Sequence, residues 1–377
     1  MNLIRKALFL GSIPLIFLLA PYCIYAQNDS LPAKLYVQND SLALKRHILI
    51  LPIIARSIET GWSFGGAASF TFHLRTLRDT VTRTSNLQAL ALYTQHNQLV
   101  AAITGAIYFP GEKFIFNQQF TYSHFPDKFW GLGKTTTENN KEPYDFSQFY
   151  IYLHPQRLIG SSLFIGLRYE YQKVMKIRYV PGGLFDQEII AGKTEYHVSG
   201  LGLSFTYDTR NNAFSPDNGA MLQIYFNHFN TVIGSDYRFT NFVIDLRRYL
   251  KLYRRQVLAM QAFGFFNTGE VPLRSLASLG GYNTMRGYYN GRYRDKNQGV
   301  LQAEYRVPLF WRFGAVAFGD IGNVAEKLSG INFQYLKYSY GGGIRIALNK
   351  AEKLNLRLDY GIGQGSSGFY FQLGEAF

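Results

Sequence analysis

The sequence predicts an all-β fold, a transmembrane antiparallel β-barrel of about 16 strands with a long extracellular loop folded into the lumen. The first observation is the composition, because the 377 residues include 28 Tyr, 31 Phe and 36 Gly but only 17% charged residues. The mean hydropathy of −0.10 is near neutral, as expected where one strand face meets lipid and the other meets water. The second observation is that runs of about 9 to 14 residues alternate with turn signals from Ile48 onward, which is long enough to cross a bilayer at a tilt.

The first 26 residues predict a cleaved export signal. The first six residues include two basic ones, Arg5 and Lys6, and an apolar run follows. Ala26 is a small residue just before the cleavage point. Residues 27–47 are polar and too few for a domain, so we expect a short periplasmic tail ahead of a barrel over residues 48–377. An exported chain of alternating strands indicates the bacterial cell outer membrane.

Turn signals divide the barrel into strands. The predicted strands are Ile48–Ser57, Trp62–Leu74, Leu87–Gln95, Gln98–Phe109, Lys113–His124, Ser147–His154, Leu163–Lys173, Glu195–Asp208, Ala220–Phe229, Tyr237–Leu250, Val257–Asn267, Gly299–Val307, Phe313–Ile321, Tyr338–Asn349, Leu354–Ile362 and Phe369–Phe377. If the tail is periplasmic, every odd-numbered connection faces outside, and the long connections 125–146, 174–194, 268–298 and 322–337 are all odd-numbered. Long outer loops and short inner turns are the rule for such barrels, so this parity supports the strand count.

Alternation of side chains sorts each strand into a lipid face and a lumen face. A charged side chain that faces lipid near the midplane costs about 2–4 kcal/mol, so the charged positions are assigned to the lumen. Three late strands thereby direct the following residues inward: Gln302, Glu304 and Arg306; Phe318 and Asp320; and Asn355, Arg357, Asp359 and Gly361. We therefore expect the lumen to carry both signs of charge.

Residues 278–297, SLGGYNTMRGYYNGRYRDKN, interrupt the strand pattern and predict a long, structured loop. Its glycines permit tight backbone turns, and its four tyrosines need a surface to pack on. Its basic residues, Arg286, Arg292, Arg294 and Lys296, need anionic partners or water. We therefore expect this loop to fold back into a hollow interior.

Two short motifs connect this loop to a known family. The loop contains Met-Arg-Gly-Tyr at residues 285–288, and a later strand contains Phe318, Asp320 and Gly322 within AFGDIGNV. In this order the motifs resemble those of the BamA/TamA superfamily of outer-membrane assembly and translocation barrels, which includes the bacterial surface antigen type. Residues 207–219, YDTRNNAFSPDNG, resemble an inside turn of that family. The resemblance covers nearly the whole mature chain.

The resemblance implies a latch between the loop and the barrel wall. In the family the motif arginine reaches down the lumen to the aspartate of the later strand, which here maps Arg286 onto Asp320. Alternation alone adds Glu304 and Asp359 as competing partners. A charge-assisted pair of this kind is stronger in a partly dehydrated lumen than on a surface. The predicted latch residues are Arg286, Gly287, Tyr288, Glu304, Phe318, Asp320, Gly322 and Asp359.

The resemblance also implies a weakly paired seam between the first and last strands. Such a seam can open and offer unpaired N–H and C=O groups to an incoming strand. The residues predicted to belong to the seam strands are Pro52, Ile53, Phe371, Leu373 and Phe377. Pro52 fits an edge strand, because proline in sheets is tolerated mainly at edges. The ending at Phe377 resembles the C-terminal signal by which outer-membrane barrels are recognised for insertion.

These patterns favour a barrel that assists insertion or translocation of proteins, or of lipid-linked cargo, through the seam. The alternative is a passive channel or a structural outer-membrane barrel without insertase activity. The expected partners are outer-membrane lipids, client outer-membrane proteins and a separate periplasmic partner, since residues 27–46 have no room for the repeat domains that the family carries.

Other classes of function lack support in the sequence. The histidines show no metal-ligand spacing and no Gly-x-Ser-x-Gly turn occurs, so neither an enzyme nor a cofactor is expected. The net charge of +14 comes from basic residues scattered over turns and lumen positions, which does not predict nucleic-acid binding.

Overall fold

The computed structural model describes residues 47–57, 59–74, 82–212, 214–350 and 353–377. The predicted signal peptide and all but the last residue of the predicted tail lie outside the described residues. No helix within the described ranges is long and apolar enough to cross a membrane.

Strands account for most of the described chain. They are β1 His47–Ser57, β2 Gly61–Phe72, β3 Ser85–Thr94, β4 Leu99–Tyr108, β5 Phe114–His124, β6 Asp127–Phe129, β7 Glu142–Gly160, β8 Leu163–Tyr179, β9 Tyr196–Asp208, β10 Gly219–Phe229, β11 Phe239–Lys251, β12 Val257–Gly269, β13 Ala277–Leu279, β14 Tyr293–Asp295, β15 Asn297–Pro308, β16 Phe313–Ala325, β17 Lys337–Asn349, β18 Leu354–Gly363 and β19 Ser366–Leu373. The helical segments are α1 Leu184–Gln187 and 3-10 turns at Pro110–Glu112, Glu138–Asn140, Thr231–Ile233, Tyr253–Arg255, Leu273–Ser275, Leu328–Gly330 and Phe333–Tyr335.

The wall strands pair antiparallel with their neighbours in chain order, from β1 with β2 to β18 with β19. β6 pairs with the outer extension of β7, and β13 pairs with β14 inside a connection. Without these three short strands the described chain has a wall of sixteen strands, which confirms the predicted number. Cα atoms of β1 and β19 lie within 8 Å of one another, so the wall curves until its two ends meet. We call the junction between β1 and β19 the seam.

Burial alternates along the wall strands, as predicted. In β18, Arg357 and Asp359 are buried whereas Leu358 and Tyr360 are exposed. In β15, Glu304 is buried between exposed neighbours. The wall therefore has an apolar outer face and a polar inner face, which is the arrangement that lipid outside and a hydrated or ion-paired interior require.

The connections divide into a long-loop end and a short-turn end. The long-loop end carries residues 125–141, 180–195, 270–296 and 326–336, and the short-turn end carries residues 109–113, 161–162 and 309–312. The four connections predicted to be long therefore share one end, as predicted, while the other end also carries the ten-residue connection 209–218. β7 and β8 are 19 and 17 residues long, which is longer than predicted. Their outer ends continue to pair because they carry part of an aromatic core above the barrel, where Tyr144 and Tyr179 stack on Phe185 at 5.0 Å and 4.9 Å between ring centroids.

The end of the chain differs from the prediction. β19 ends at Leu373, so Phe377 is not part of the seam strand. Gly374 adopts a φ of 86°, a left-handed conformation that glycine accepts easily, and the chain leaves the sheet there. Phe377 is 5% exposed and packs beside Tyr249 and Ala259 on the inner face. Glu375 also enters the lumen, because a carboxylate finds arginine partners there and none in lipid.

Candidate functional site

The connection of residues 270–296, which we call the latch loop, occupies the lumen below the long-loop end. β13 and β14 form a ribbon at its base, in which Leu279 lies opposite Tyr293. Between these strands the loop buries Met285 and Tyr288, which are 0% and 1% exposed. The prediction that this loop folds back into the interior is confirmed.

Arg286 of the latch loop contacts three side chains of the wall, and its own side chain is 0% exposed. Its Nη1 donates to Glu304 Oε2 and to Asp359 Oδ2, each at 2.7 Å. Its guanidinium carbon lies 3.5 Å from the centre of the Phe318 ring, and such a cation–π contact is strongest where water is excluded. Two carboxylates and one aromatic ring of the wall therefore hold a single loop side chain.

Asp320 is not the ion-pair partner that the resemblance implied for Arg286. Among the described residues the two groups form no ion pair within 4.0 Å, and Asp320 Oδ2 accepts a hydrogen bond from Ser339 Oγ at 3.1 Å. The physical reason is the Phe318 ring, which lies against the guanidinium while Nη1 points to the carboxylates of β15 and β18. Asp320 is 2% exposed and still attracts Arg286 through its charge.

The wall beneath Arg286 depends on two glycines of β17. Gly341 pairs with Phe318 on one side, and Gly343 pairs with Asp359 on the other. A Cβ on Gly341 would lie 2.5 Å from the Phe318 ring, and a Cβ on Gly343 would lie 2.0 Å from Asp359 Oδ1. The absence of side chains therefore lets the ring and the carboxylate meet across β17. These glycines were not predicted as site residues, although three consecutive glycines inside a strand were the signal for a close approach.

Three further arginines share the carboxylates that bind Arg286. The ion pairs are Arg306 with Glu304 at 2.7 Å, Arg345 with Asp359 at 2.5 Å, Arg345 with Glu304 at 3.4 Å, Arg345 with Glu375 at 2.6 Å, and Arg357 with Asp359 at 3.6 Å. Each carboxylate thus has more than one cationic partner, which offsets the large cost of burying these charges. Arg345 and Glu375 were missed, because their roles depend on which strands and which chain end meet in the lumen.

The loop backbone next to the arginine packs directly on β18 and β19. Gly287 has a φ of 110°, and a Cβ there would lie 2.6 Å from the backbone nitrogen of Gly363. Only glycine fits this position. The Gly287 N–H donates to the Tyr370 hydroxyl at 2.8 Å, and its carbonyl accepts from Ser366 Oγ at 2.6 Å. Tyr370 and Ser366 both belong to β19, so the latch loop is attached to the last strand of the wall.

Tyr288 and Gly322 complete the contacts between the latch loop and the wall. The Tyr288 hydroxyl donates to the carbonyl of Tyr338 at the start of β17, at 2.9 Å. A Cβ on Gly322 would lie 3.2 Å from Leu279 Cδ2, so this glycine gives β13 room to pack on β16. The predicted latch residues therefore lie in the latch loop or on the wall around it. Asp320 is near Arg286 but does not form an ion pair with it.

Comparison with known proteins identifies the family of this barrel. Residues 59–377 match the family model of the Omp85 superfamily domain. The chain belongs to the Omp85 superfamily. No curated protein sequence gives a significant match to this Omp85 chain.

Three solved structures show a similar fold. BamA from Haemophilus ducreyi lacking POTRA domains 1–3 has a TM-score of 0.53 and 12% identity, and the match covers 88% of this chain and 70% of that one. CdiB from Acinetobacter baumannii has a TM-score of 0.55 and 13% identity, with 88% and 65% covered. CdiB from Escherichia coli has a TM-score of 0.55 and 9% identity, with 87% and 59% covered. This Omp85 chain therefore shares the barrel fold while spanning 59–70% of the length of those chains.

In this Omp85 chain the latch loop also contacts the other side of the seam. The N–H of Asn290 donates at 3.0 Å to Oε1 of Glu59, which lies in the turn between β1 and β2. Glu59 is 8% exposed, and burial raises the pKa of its carboxyl above the usual value. One loop thereby binds β19 through Gly287 and the β1–β2 turn through Asn290.

The basic residues beyond Arg286 secure the latch loop at the long-loop end. Arg294 lies 3.4 Å from Asp127, and Arg292 lies 3.3 Å from Glu138. Asp127 also pairs with Arg274 at 3.2 Å. The loop is therefore bound above by the connection between β5 and β7 and below by the ionic network.

The remaining predicted seam residues lie on the strands that flank the seam. Pro52 and Ile53 lie in β1, and Phe371 and Leu373 lie in β19. The register between β1 and β2 continues through Pro52, which is opposite Gly66. Proline has no backbone N–H to donate, and the pairing with β2 continues through it, which fits the position of β1 at the end of the wall. In the described ranges, no group of three or more His, Cys, Asp and Glu side chains is arranged to hold a metal ion.

Proposed function

We propose that this Omp85 chain is an outer-membrane barrel that inserts or translocates proteins, or lipid-linked cargo, by opening the seam between β1 and β19. One observation carries the proposal: Cα atoms of β1 and β19 lie within 8 Å at the seam, and the latch loop binds beside both strands. Unpaired N–H and C=O groups are costly where lipid excludes water. An incoming strand that pairs with either edge would therefore be stabilised.

The latch loop controls the opening. On the β19 side it is held by Tyr370 and Ser366, and on the β1 side by Glu59. With both contacts made, the two sides of the seam keep a fixed spacing. Loss of either contact frees one side, and the ion pairs of Arg286 set how much free energy that release requires.

A passive channel is the less favoured function, because the interior is occupied. Met285 and Arg286 of the latch loop are each 0% exposed, so protein atoms enclose them on every side. Steady conductance through this part of the lumen would require the latch loop and its ionic network to move. Client outer-membrane proteins, surrounding lipids and a separate periplasmic partner are the partners that belong to the favoured function.

Paired cysteines across the seam test the proposal. In a Cys23→Ser background, Ile53→Cys is combined in turn with a cysteine at each of residues 369–373, and the pair that oxidises most completely is kept. The purified barrel is placed in liposomes, and the folding of urea-unfolded client barrels is followed by their heat-modifiable migration. We expect oxidation to stop client folding and reductant to restore it.

A matched control separates seam opening from general effects of a disulfide. Ala91 and Ala101 lie opposite each other on the fully paired strands β3 and β4, so a disulfide between cysteines at these positions should leave client folding unchanged. If the seam-locked barrel folds clients as fast as its reduced form, the seam only closes the barrel. The alternative, a passive channel or structural barrel without insertase activity, would then replace our proposal.

A further inference from the structure

A cavity of about 310 Å³ lies in the lumen toward the short-turn end, and the latch loop forms one of its walls. Its other walls come from β18, β19, β11, the turn between β9 and β10, and the last residues of the chain. The polar lining consists of Arg210, Arg247, Arg357, Asn283, Gln372 and Glu375. We propose that this cavity binds a phosphate group. This site is independent of the proposed function.

Three arginines and one carboxylate line the cavity, and two of the arginines are paired with aspartates that lie outside the lining. Arg210 is neutralised by Asp208 at 2.9 Å, and Arg247 by Asp245 at 2.6 Å. The carboxylate, Glu375, is itself bound by Arg345 and Arg306. Of the three arginines that line the cavity, Arg357 is therefore the one whose positive charge is least balanced by carboxylates.

Arg357 has hydrogen-bonding capacity that its neighbours leave unused. Its side chain is 1% exposed, and its Nη2 donates to the carbonyl of Tyr282 at 3.1 Å. Its Nε lies 3.6 Å from Asp359, whose oxygens already accept from Arg286 and Arg345 at shorter distances. Its Nε and Nη1 have no hydrogen-bond partner in the described residues. Buried charged donors without acceptors are costly, so an oxyanion that enters the cavity and draws the Arg357 guanidinium toward it relieves that cost.

The chemistry of the lining suits an oxyanion. An edge of a guanidinium can bind two phosphate oxygens at once, and the side-chain amides of Asn283 and Gln372 line the same cavity from the latch loop and from β19. A phosphate bound here would touch the loop, β18 and β19 together. Binding would therefore stabilise the latched arrangement by mass action.

Titration calorimetry of the full barrel in phosphate-free detergent tests the site. Two ligands are used, inorganic phosphate and a short-chain phosphatidic acid, so that free phosphate and a lipid headgroup are distinguished as sources. We expect saturable binding of at least one of them with a Kd of about 1 mM or below. Gln372→Glu should weaken it about tenfold or more, because the new carboxylate takes the place of the anion beside Arg357. Arg357→Gln should have the same effect.

A matched variant shows whether any loss is specific. Gln119 lies on β5, outside the cavity lining, so Gln119→Glu makes the same chemical change elsewhere and should leave the affinity unchanged. Absence of saturable binding of both ligands to the wild-type barrel overturns the proposal. Equal affinity of the Gln372→Glu and wild-type barrels also overturns it, and that result is unaffected if Arg357→Gln fails to fold.

Discussion

Replacement of Arg286 by alanine should release the latch loop without unfolding the barrel. The substitution removes two hydrogen bonds of 2.7 Å to buried carboxylates and a contact of 3.5 Å with the Phe318 ring. Hydrogen bonds to charged groups contribute about 1.5–3 kcal/mol each, and a cation–π contact without water about 2 kcal/mol. Both carboxylates keep other arginines, so the net cost falls below the sum, at about 3–5 kcal/mol. This free energy raises the opening equilibrium of the loop roughly a hundredfold or more.

Limited trypsin digestion measures that opening. Arg292, Arg294 and Lys296 remain as cleavage sites in the variant, and the first two are buried while the loop is latched. When opening and closing are fast, the cleavage rate follows the population of the open loop. Heat-modifiable migration of the same sample shows whether the barrel has stayed folded. The matched control is Arg178→Ala, because Arg178 is 73% exposed in its pair with Asp145 and such pairs contribute about 0–1 kcal/mol.

The result that would refute this reasoning is a latch-loop cleavage rate for Arg286→Ala within about twofold of wild type. The ion pairs would then contribute nothing to the closed loop, and the contacts of Gly287 and Tyr288 would have to hold it alone. Arg286→Lys gives an intermediate point. Lysine keeps the charge but has no planar fork, so it should restore only part of the protection.

Three further changes probe the surroundings of the latch. Gly343→Ala places a Cβ 2.0 Å from Asp359 Oδ1 and should cost about 1–3 kcal/mol in thermal unfolding, whereas Gly319→Ala meets nothing within 4 Å and should be neutral. Tyr370→Phe removes the hydroxyl that binds Gly287 and should speed hydrogen exchange of that amide roughly tenfold, while the same change at the outward Tyr360 should have no effect. Burial raises the pKa of Glu59 above 4.5, so the folded protein holds this proton more tightly than the unfolded chain does. The free energy of unfolding in urea should therefore fall as the pH rises above about 4.5 and through the folded pKa, and Glu59→Gln should abolish that part of the dependence; an unchanged pH profile would contradict it.

The wall was predictable because each strand carries its own alternating pattern and each turn its own signal. The errors lie where contacts beyond the wall decide the ends of strands. β7 and β8 continue past their predicted ends since Tyr144 and Tyr179 pack on Phe185, which comes from a different connection. The chain end turns inward because Gly374 breaks the strand and Glu375 finds arginine in the lumen.

The sequence predicted which residues form the latch, but the predicted ion pair between Arg286 and Asp320 was wrong. Alternation placed Glu304 and Asp359 in the lumen, and these residues bind Arg286. The pairing with Asp320 came from the resemblance, which transfers a contact without transferring the side chains around it. Here the Phe318 ring and the glycines of β17 direct the arginine to β15 and β18, and no pattern within one strand reveals that choice.

The proposed opening of the latch requires Arg286 to leave its buried carboxylates, and the sharing of these carboxylates lowers the cost of that step. An isolated buried ion pair would leave a bare charge behind when it opens, at a cost of several kcal/mol for each ion. In this protein Glu304 keeps Arg306 at 2.7 Å, and Asp359 keeps Arg345 at 2.5 Å, after Arg286 withdraws. Withdrawal of Arg286 alone therefore costs about 3–5 kcal/mol, the figure estimated above from its hydrogen bonds and its ring contact. In the function proposed above, a client strand that forms five or six backbone hydrogen bonds, at about 0.5–1.5 kcal/mol each, would supply a free energy comparable with the cost of withdrawing Arg286.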